Sequence, residues 1–196
     1  YDSIAPLLAA NGYTLIMYDL IGRGLSDYPT NCTFDSTSHV DQLHTLLTHL
    51  GITQYHLMGH SMGGALATLY YNKYAATHTI ESVILLAPAG LVNSWALKAV
   101  RACPTWIQTV LSWFTYRAQN YTYRRGFVDT NSEAAKELME EMHIISIVNP
   151  RAFDAKWESL MHFPLYGLEN DIVNMANACP KILLLWGQKD AVIDCN

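Results

Sequence analysis

The chain has 196 residues, 51% of them apolar and 15% charged. That is enough for one domain with a substantial core and too apolar for a disordered segment. Twelve Lys and Arg stand against 17 Asp and Glu, for a formal charge of −5, and with no basic patch nucleic acid is excluded as an expected partner. No apolar run approaches the eighteen or so residues of a membrane span. The longest, residues 83–92, is broken by Pro88 and Gly90 and reads as a buried strand with its exit.

Taken in chain order, the elements alternate between helix and strand patterns, which predicts an α/β architecture with a mostly parallel sheet. Residues 1–10 read as a helix with Ile4, Leu7 and Leu8 on one face and Asn11-Gly12 as its stop. Residues 13–18 read as a short strand ending at Asp19, followed by a glycine-rich loop over 22–26. Ser38-His39-Val40-Asp41 reads as a capping box that opens a helix running to Gly51. Residues 55–59 form the next predicted strand and 62–74 a helix that begins with small residues. Residues 82–87 and 181–186 are continuous apolar runs, the pattern of strands covered on both faces.

Between them the rhythm breaks. Residues 91–170 are helical in pattern and rich in aromatics, among them Trp95, Trp106, Trp113, Phe114, Tyr116, Tyr121, Tyr123 and Phe127. The expected division is a first core part over 1–90, a helical insertion over 91–170 and a core continuation over 171–196. The aromatics suggest an apolar acyl or aryl pocket. The segment from Trp106 to Phe114 is expected to pack the insertion onto the core, with contact to a lipid surface as the other reading. Arg124-Arg125 reads as part of a solvated face.

Gly59-His60-Ser61-Met62-Gly63 fits G-x-S-x-G, with a strand predicted before it and a helix after it, the context of a nucleophile elbow. Glycines on both sides relieve clashes in so tight a turn. Ser61 is the candidate nucleophile, held above a helix N-terminus whose partial positive charge favours a developing anion. The Met62 N–H is the candidate oxyanion donor, a contribution on the order of 3 kcal/mol. His60 is adjacent, but neighbouring side chains on a strand point to opposite sides, so it is a poor base for Ser61.

With these residues in view, the chain resembles the α/β-hydrolase family, in particular its esterases, lipases and C–C hydrolases. Asp19-Leu20-Ile21-Gly22-Arg23-Gly24-Leu25-Ser26 is similar to the D-x-x-G-x-G-x-S loop after the family's fourth strand. Trp186-Gly187-Gln188-Lys189-Asp190-Ala191-Val192 is similar to the W-G-x-x-D-x-x segment after its seventh. The resemblance implies that Asp190 is the triad acid, which would orient a catalytic histidine and stabilise its imidazolium. A turn or helix-cap role is the other reading of Asp190, and Asp194 is the fallback acid. Asp19 is expected to hold its loop by hydrogen bonds.

The family's base is a histidine downstream of the acid, and none of the eight histidines here occupies that position. His39, His44 and His49 scatter around one helix as surface or half-buried residues, and His143 and His162 are expected to be structural. The chain opens on Tyr1 rather than Met, so the expectation is a processed or partial chain. By the resemblance, both the histidine and the second oxyanion donor lie outside these residues, and the 196-residue chain is expected to be nearly inactive.

The implied function is a serine hydrolase cleaving an ester or related acyl bond of an apolar small molecule or lipid through an acyl-enzyme. It needs no cofactor or metal. A serine in the elbow argues against epoxide hydrolase and dehalogenase chemistry, which by the resemblance uses aspartate there. A C–C hydrolase, a peptidase and a non-catalytic binding relative stay open. Four scattered cysteines read as reduced thiols and favour the cytoplasm, whereas sequons at Asn31 and Asn120 point to a secretory route.

Overall fold

The computed structural model describes residues 4–91, 95–124, 127, 129–190 and 193, without the side chains of 119–124. Among these residues three parallel strands form a sheet in the order β1 (Gln54–His60), β2 (Thr79–Leu86), β3 (Ile182–Leu185). Their register pairs His60 with Leu86 and Leu86 with Leu185. All three strands therefore end at one edge of the sheet. In parallel α/β sheets, this carboxyl edge is where loops can gather functional groups.

Each strand is reached through helix. The sequence starts with the short α1 (Ala5–Ala10) and continues through α2 (Ser36–His49), while α3 (Met62–Tyr74) joins β1 to β2. Among the described residues five helices separate β2 from β3: α4 (Trp95–Ala102), α5 (Thr105–Arg124), α6 (Glu133–Val148), α7 (Ala152–His162) and α8 (Glu169–Ala178). α3 lies against β1 and β2, with α2 and α8 packed beside it. Its apolar character continues nearly all the way round, and Ala65, Leu66, Ala67, Tyr70 and Tyr71 are all buried, as a central helix requires. With Val83, Leu85, Phe163, Leu168 and Met175 they make one core cluster.

Several expectations are corrected. Residues 13–20 belong to no strand of the sheet among the described residues. An extended segment is a strand only when a ladder satisfies it. The N-cap of α2 is Asp35, not Ser38: its carboxylate accepts the Ser38 N–H at 2.8 Å and the helix begins at Ser36. A charged carboxylate competes well there because it also meets the helix dipole. β3 is not covered on both faces; Leu183, Leu184 and Leu185 are about half exposed. It is an edge strand among the described residues, paired on one side by β2. Cys32, Cys103 and Cys179 are free thiols, and Cys195 lies outside the described residues.

His39 is fully buried rather than on the surface. Its Nε2 lies 3.3 Å from Ser159 Oγ, and its ring packs between Phe34 and Phe163. Burial, reinforced by the charge of Arg23, lowers its pKa from 6.5 to about 4. Below pH 6.5 the unfolded chain takes up a proton that the folded chain refuses until about pH 4. Stability therefore falls as pH drops through this window, by up to about 3 kcal/mol. Urea unfolding at a series of pH values checks this. His39→Gln should flatten the wild-type decline between pH 6.5 and 4, and an unchanged decline would assign it to other groups.

Candidate active site

β1 runs straight into α3 with a single residue, Ser61, between them. Its backbone sits at φ 54°, ψ −120°, a region that costs a non-glycine residue about 1–3 kcal/mol. The surroundings hold it there. The Ser61 N–H donates to Leu86 O at 2.9 Å, and Ser61 O accepts from Gly64 and Ala89 N–H, each at 2.9 Å. The exit of β2 thus grips the turn on both sides, and that exit is itself left-handed at Ala87, φ 40°. Ser61 occupies the N-cap position of α3, yet its side chain makes no capping hydrogen bond. Since serine ordinarily caps, the helix start leaves this hydroxyl unused.

Two glycines make the turn sterically possible. A Cβ on Gly59 would overlap the Gly63 carbonyl, and one on Gly64 would meet Pro88 Cβ at 2.7 Å. Gly63 differs from the expectation, since a Cβ there meets nothing within 4 Å among the described residues. Its place in the motif does not come from crowding by these residues.

The loop from Asp19 to Ser26 is tied down from several directions. Asp19 Oδ2 accepts the Leu25 N–H at 2.9 Å, and Asp19 O accepts from Ser26 Oγ at 2.7 Å and Gln42 Nε2 at 3.0 Å. Asp19 therefore serves the loop, as expected from the sequence. Asn149, past the end of α6, donates through Nδ2 to the carbonyls of Gly22 and Gly24. Arg23 reaches out of this loop, its Nη2 donating to Met62 Sδ at 3.3 Å. It links the loop to the first residue of α3. Lys156 of α7 also feels this cation: burial first, then Arg23, lowers its pKa to about 8. Sequence reasoning overlooked Arg23 and Lys156 because they come together from positions 133 residues apart; only the place of Arg23 inside the loop motif hinted at a role.

Asp190 follows β3 at the same sheet edge as Ser61. β1 and β3 are two strand spacings apart, about 10 Å. Asp190 N–H donates to Gly187 O at 3.1 Å, and its Oδ1 accepts the Ile193 N–H at 2.9 Å. Trp186 Nε1 closes the loop on Ile193 O at 2.8 Å. One carboxylate oxygen therefore orders its own turn, the role that the sequence left as the other reading. Asp194, Ala191 and Val192 lie outside the described residues. His60 is exposed, whereas Ser61 is half-buried. His143 and His162 are both exposed, the latter 3.3 Å from Glu158.

Three of the aromatics that suggested an apolar pocket are exposed. Trp106, Trp113 and Phe114 point to solvent. A cavity of about 630 Å³ between α5 and α7 is lined instead by a mixed set that includes Thr105, Gln108, Ser112, Trp157 and Glu158. A second, of about 640 Å³, lies between the Asp19 loop and α2. Ser61 lines neither.

The comparisons with known proteins follow this geometry. The model of the alpha/beta hydrolase fold matches residues 1–194, and the chain belongs to that family. It is 27% identical over 205 residues to a serine hydrolase-like protein of Dictyostelium discoideum, covering 95% of this chain and 55% of the relative. It is 26% identical to lipase 3 of a Moraxella species, covering 93% of this chain and 56% of the lipase. Among solved structures, 2-hydroxy-6-oxo-6-phenylhexa-2,4-dienoate hydrolase from a Rhodococcus strain superposes with a TM-score of 0.69 at 23% identity, over 98% of this chain and 68% of that one. Proline iminopeptidases, an esterase and an epoxide hydrolase are also among the similar proteins. The chain spans about half the length of these two curated relatives.

The glycine geometry makes a sharp contrast. Gly59→Ala should destabilise by about 3 kcal/mol or more, because the clash is with backbone. Gly63→Ala should be neutral or stabilise by up to about 1 kcal/mol, since alanine is the better helix former. Urea midpoints of the two variants check this; equal losses would mean that crowding at Gly59 does not set the turn.

Proposed function

We propose that the chain carries most of the catalytic domain of a serine hydrolase that cleaves an ester or related acyl bond of an apolar small molecule or lipid. The observation that carries this reading is the Ser61 hydroxyl, on a left-handed turn between strand and helix and uncommitted to helix capping. A structure that pays backbone strain to hold a serine there points to a role beyond folding. Membership in a hydrolase family and similarity to a lipase along nearly the whole chain support it.

In this reading Ser61 Oγ attacks the acyl carbonyl carbon while its proton passes to a histidine base. The Met62 N–H, at the positive end of α3, stabilises the oxyanion. Collapse of the tetrahedral adduct breaks the bond to the leaving group, which departs protonated. Water then hydrolyses the acyl-serine. Asp190 holds the histidine in the tautomer that accepts the serine proton. Residues 1–90 and 171–196 form the core and 91–170 a helical cap over it. The histidine and a second oxyanion donor belong to a longer protein, of which the 196 residues alone have little activity.

The test is turnover by the full-length protein of an aryl ester, a prolyl anilide and a dienoic acid. Ester turnover should dominate. Ser61→Ala and Asp190→Asn should each lower kcat by a factor on the order of 10⁴ or more with little change in KM. Full activity in Ser61→Ala would reject the nucleophile. Dominant turnover of the anilide or the dienoic acid would move the reading to a peptidase or a C–C hydrolase.

A further inference from the structure

The first residue of α3 is held from outside its helix. Arg23 Nη2 donates to Met62 Sδ at 3.3 Å, and the backbone of Met62 begins α3 directly after Ser61. Four covalent bonds separate the Met62 nitrogen from that sulfur. The guanidinium therefore lies within one screening length of the Met62 N–H, about 10 Å in 0.1 M salt.

The other end of the Arg23 side chain is fixed as well. Its backbone N–H donates to Leu20 O at 2.8 Å, and its carbonyl accepts the Ser26 N–H at 2.9 Å. The carbonyls on either side of it, of Gly22 and Gly24, accept from Asn149 Nδ2 at 3.3 and 3.1 Å. A Cβ on Gly22 would meet Ala155 Cβ at 2.6 Å, so the loop sits hard against α7. Tied at backbone and tip, the side chain brings its charge to one place.

That charge is felt by its neighbours. His39 of α2 is fully buried and Lys156 of α7 is half-buried. Each has its pKa lowered first by burial and second by Arg23. Two groups on two helices respond to one cation, so water screens it less than it screens an exposed one. The end of α3 carries about half a unit of positive charge from its backbone dipoles, and Arg23 adds a full unit beside it. A neutral ester carbonyl gains little from this field, whereas the oxyanion formed by attack on it gains much.

We propose that Arg23 is a positioning residue of the Ser61 centre, holding the first residue of α3 and adding its positive charge to the field that favours the oxyanion of the tetrahedral adduct. This rests on the reading of Ser61 as nucleophile and of the Met62 N–H as oxyanion donor.

The test is aryl-ester turnover by the full-length protein, with inhibition by an aryl trifluoromethyl ketone. Ser61 Oγ adds to the carbonyl carbon of that ketone, its proton passes to the base, and the ketone oxygen becomes the oxyanion of a hemiketal. Arg23→Gln should lower kcat about tenfold with KM unchanged, and should weaken the ketone by about the same factor. Arg23→Lys, which keeps the charge, should restore kcat to within about threefold of wild type. Circular dichroism establishes that each variant is folded. If Arg23→Gln does not fold, Arg23→Met, which keeps an apolar stem, is read in the same way. An unchanged kcat, a loss confined to KM, or Arg23→Lys as slow as Arg23→Gln would each overturn the role of Arg23 and leave that of Ser61 standing. A wild-type protein that neither turns over the ester nor binds the ketone would sink the reading of Ser61, and this proposal with it.

Discussion

The structure is organised around a backbone held where it would not go alone. Ser61 adopts φ 54° because three hydrogen bonds from the exit of β2 and the start of α3 leave it no other conformation. The same grip requires α3 to approach Pro88 closely, which only glycine at 64 permits. One turn therefore sets three things together: the angle between β1 and α3, the seating of α3 on the sheet, and the display of one hydroxyl at the carboxyl edge. Strain of this size persists only when its surroundings over-determine it, and here two strand ends and a helix do so.

The loops that surround this edge are anchored to it from distant parts of the chain. The Asp19–Ser26 loop is held by its own aspartate, by Gln42 from α2 and by Asn149 from beyond α6. Arg23 then ties it to Met62. On the other side, Gly90 exchanges backbone hydrogen bonds with Leu165 and Leu168, so the chain leaves for α4 and returns from α7 beside the exit of β2.

Much of this was legible in the sequence, and the exceptions have physical causes. The strand–turn–helix around Ser61 could be read because its signals are local: an apolar run, a G-x-S-x-G spacing and a start of small residues. The α/β class and the parallel sheet could be read from the alternation of helix and strand patterns. Residues 13–18 have the composition of a strand but are not part of the sheet, and pairing is a non-local property that composition cannot report. The leucines of β3 likewise read as covered, yet coverage depends on what lies beside the strand. His39 read as a surface or half-buried residue; its burial depends on Ser159 and Phe163, more than a hundred residues away. The outward aromatics of α5 run against the ordinary rule that large apolar side chains pack inward.

The central claim is that the strained turn presents a nucleophile. A fluorophosphonate probe on the full-length protein, followed by peptide mapping of the adduct, tests it most directly. The account predicts a single stoichiometric modification on Ser61 that disappears in Ser61→Ala. A folded protein that takes up no probe, or takes it up at another residue with Ser61 unmodified, would contradict it.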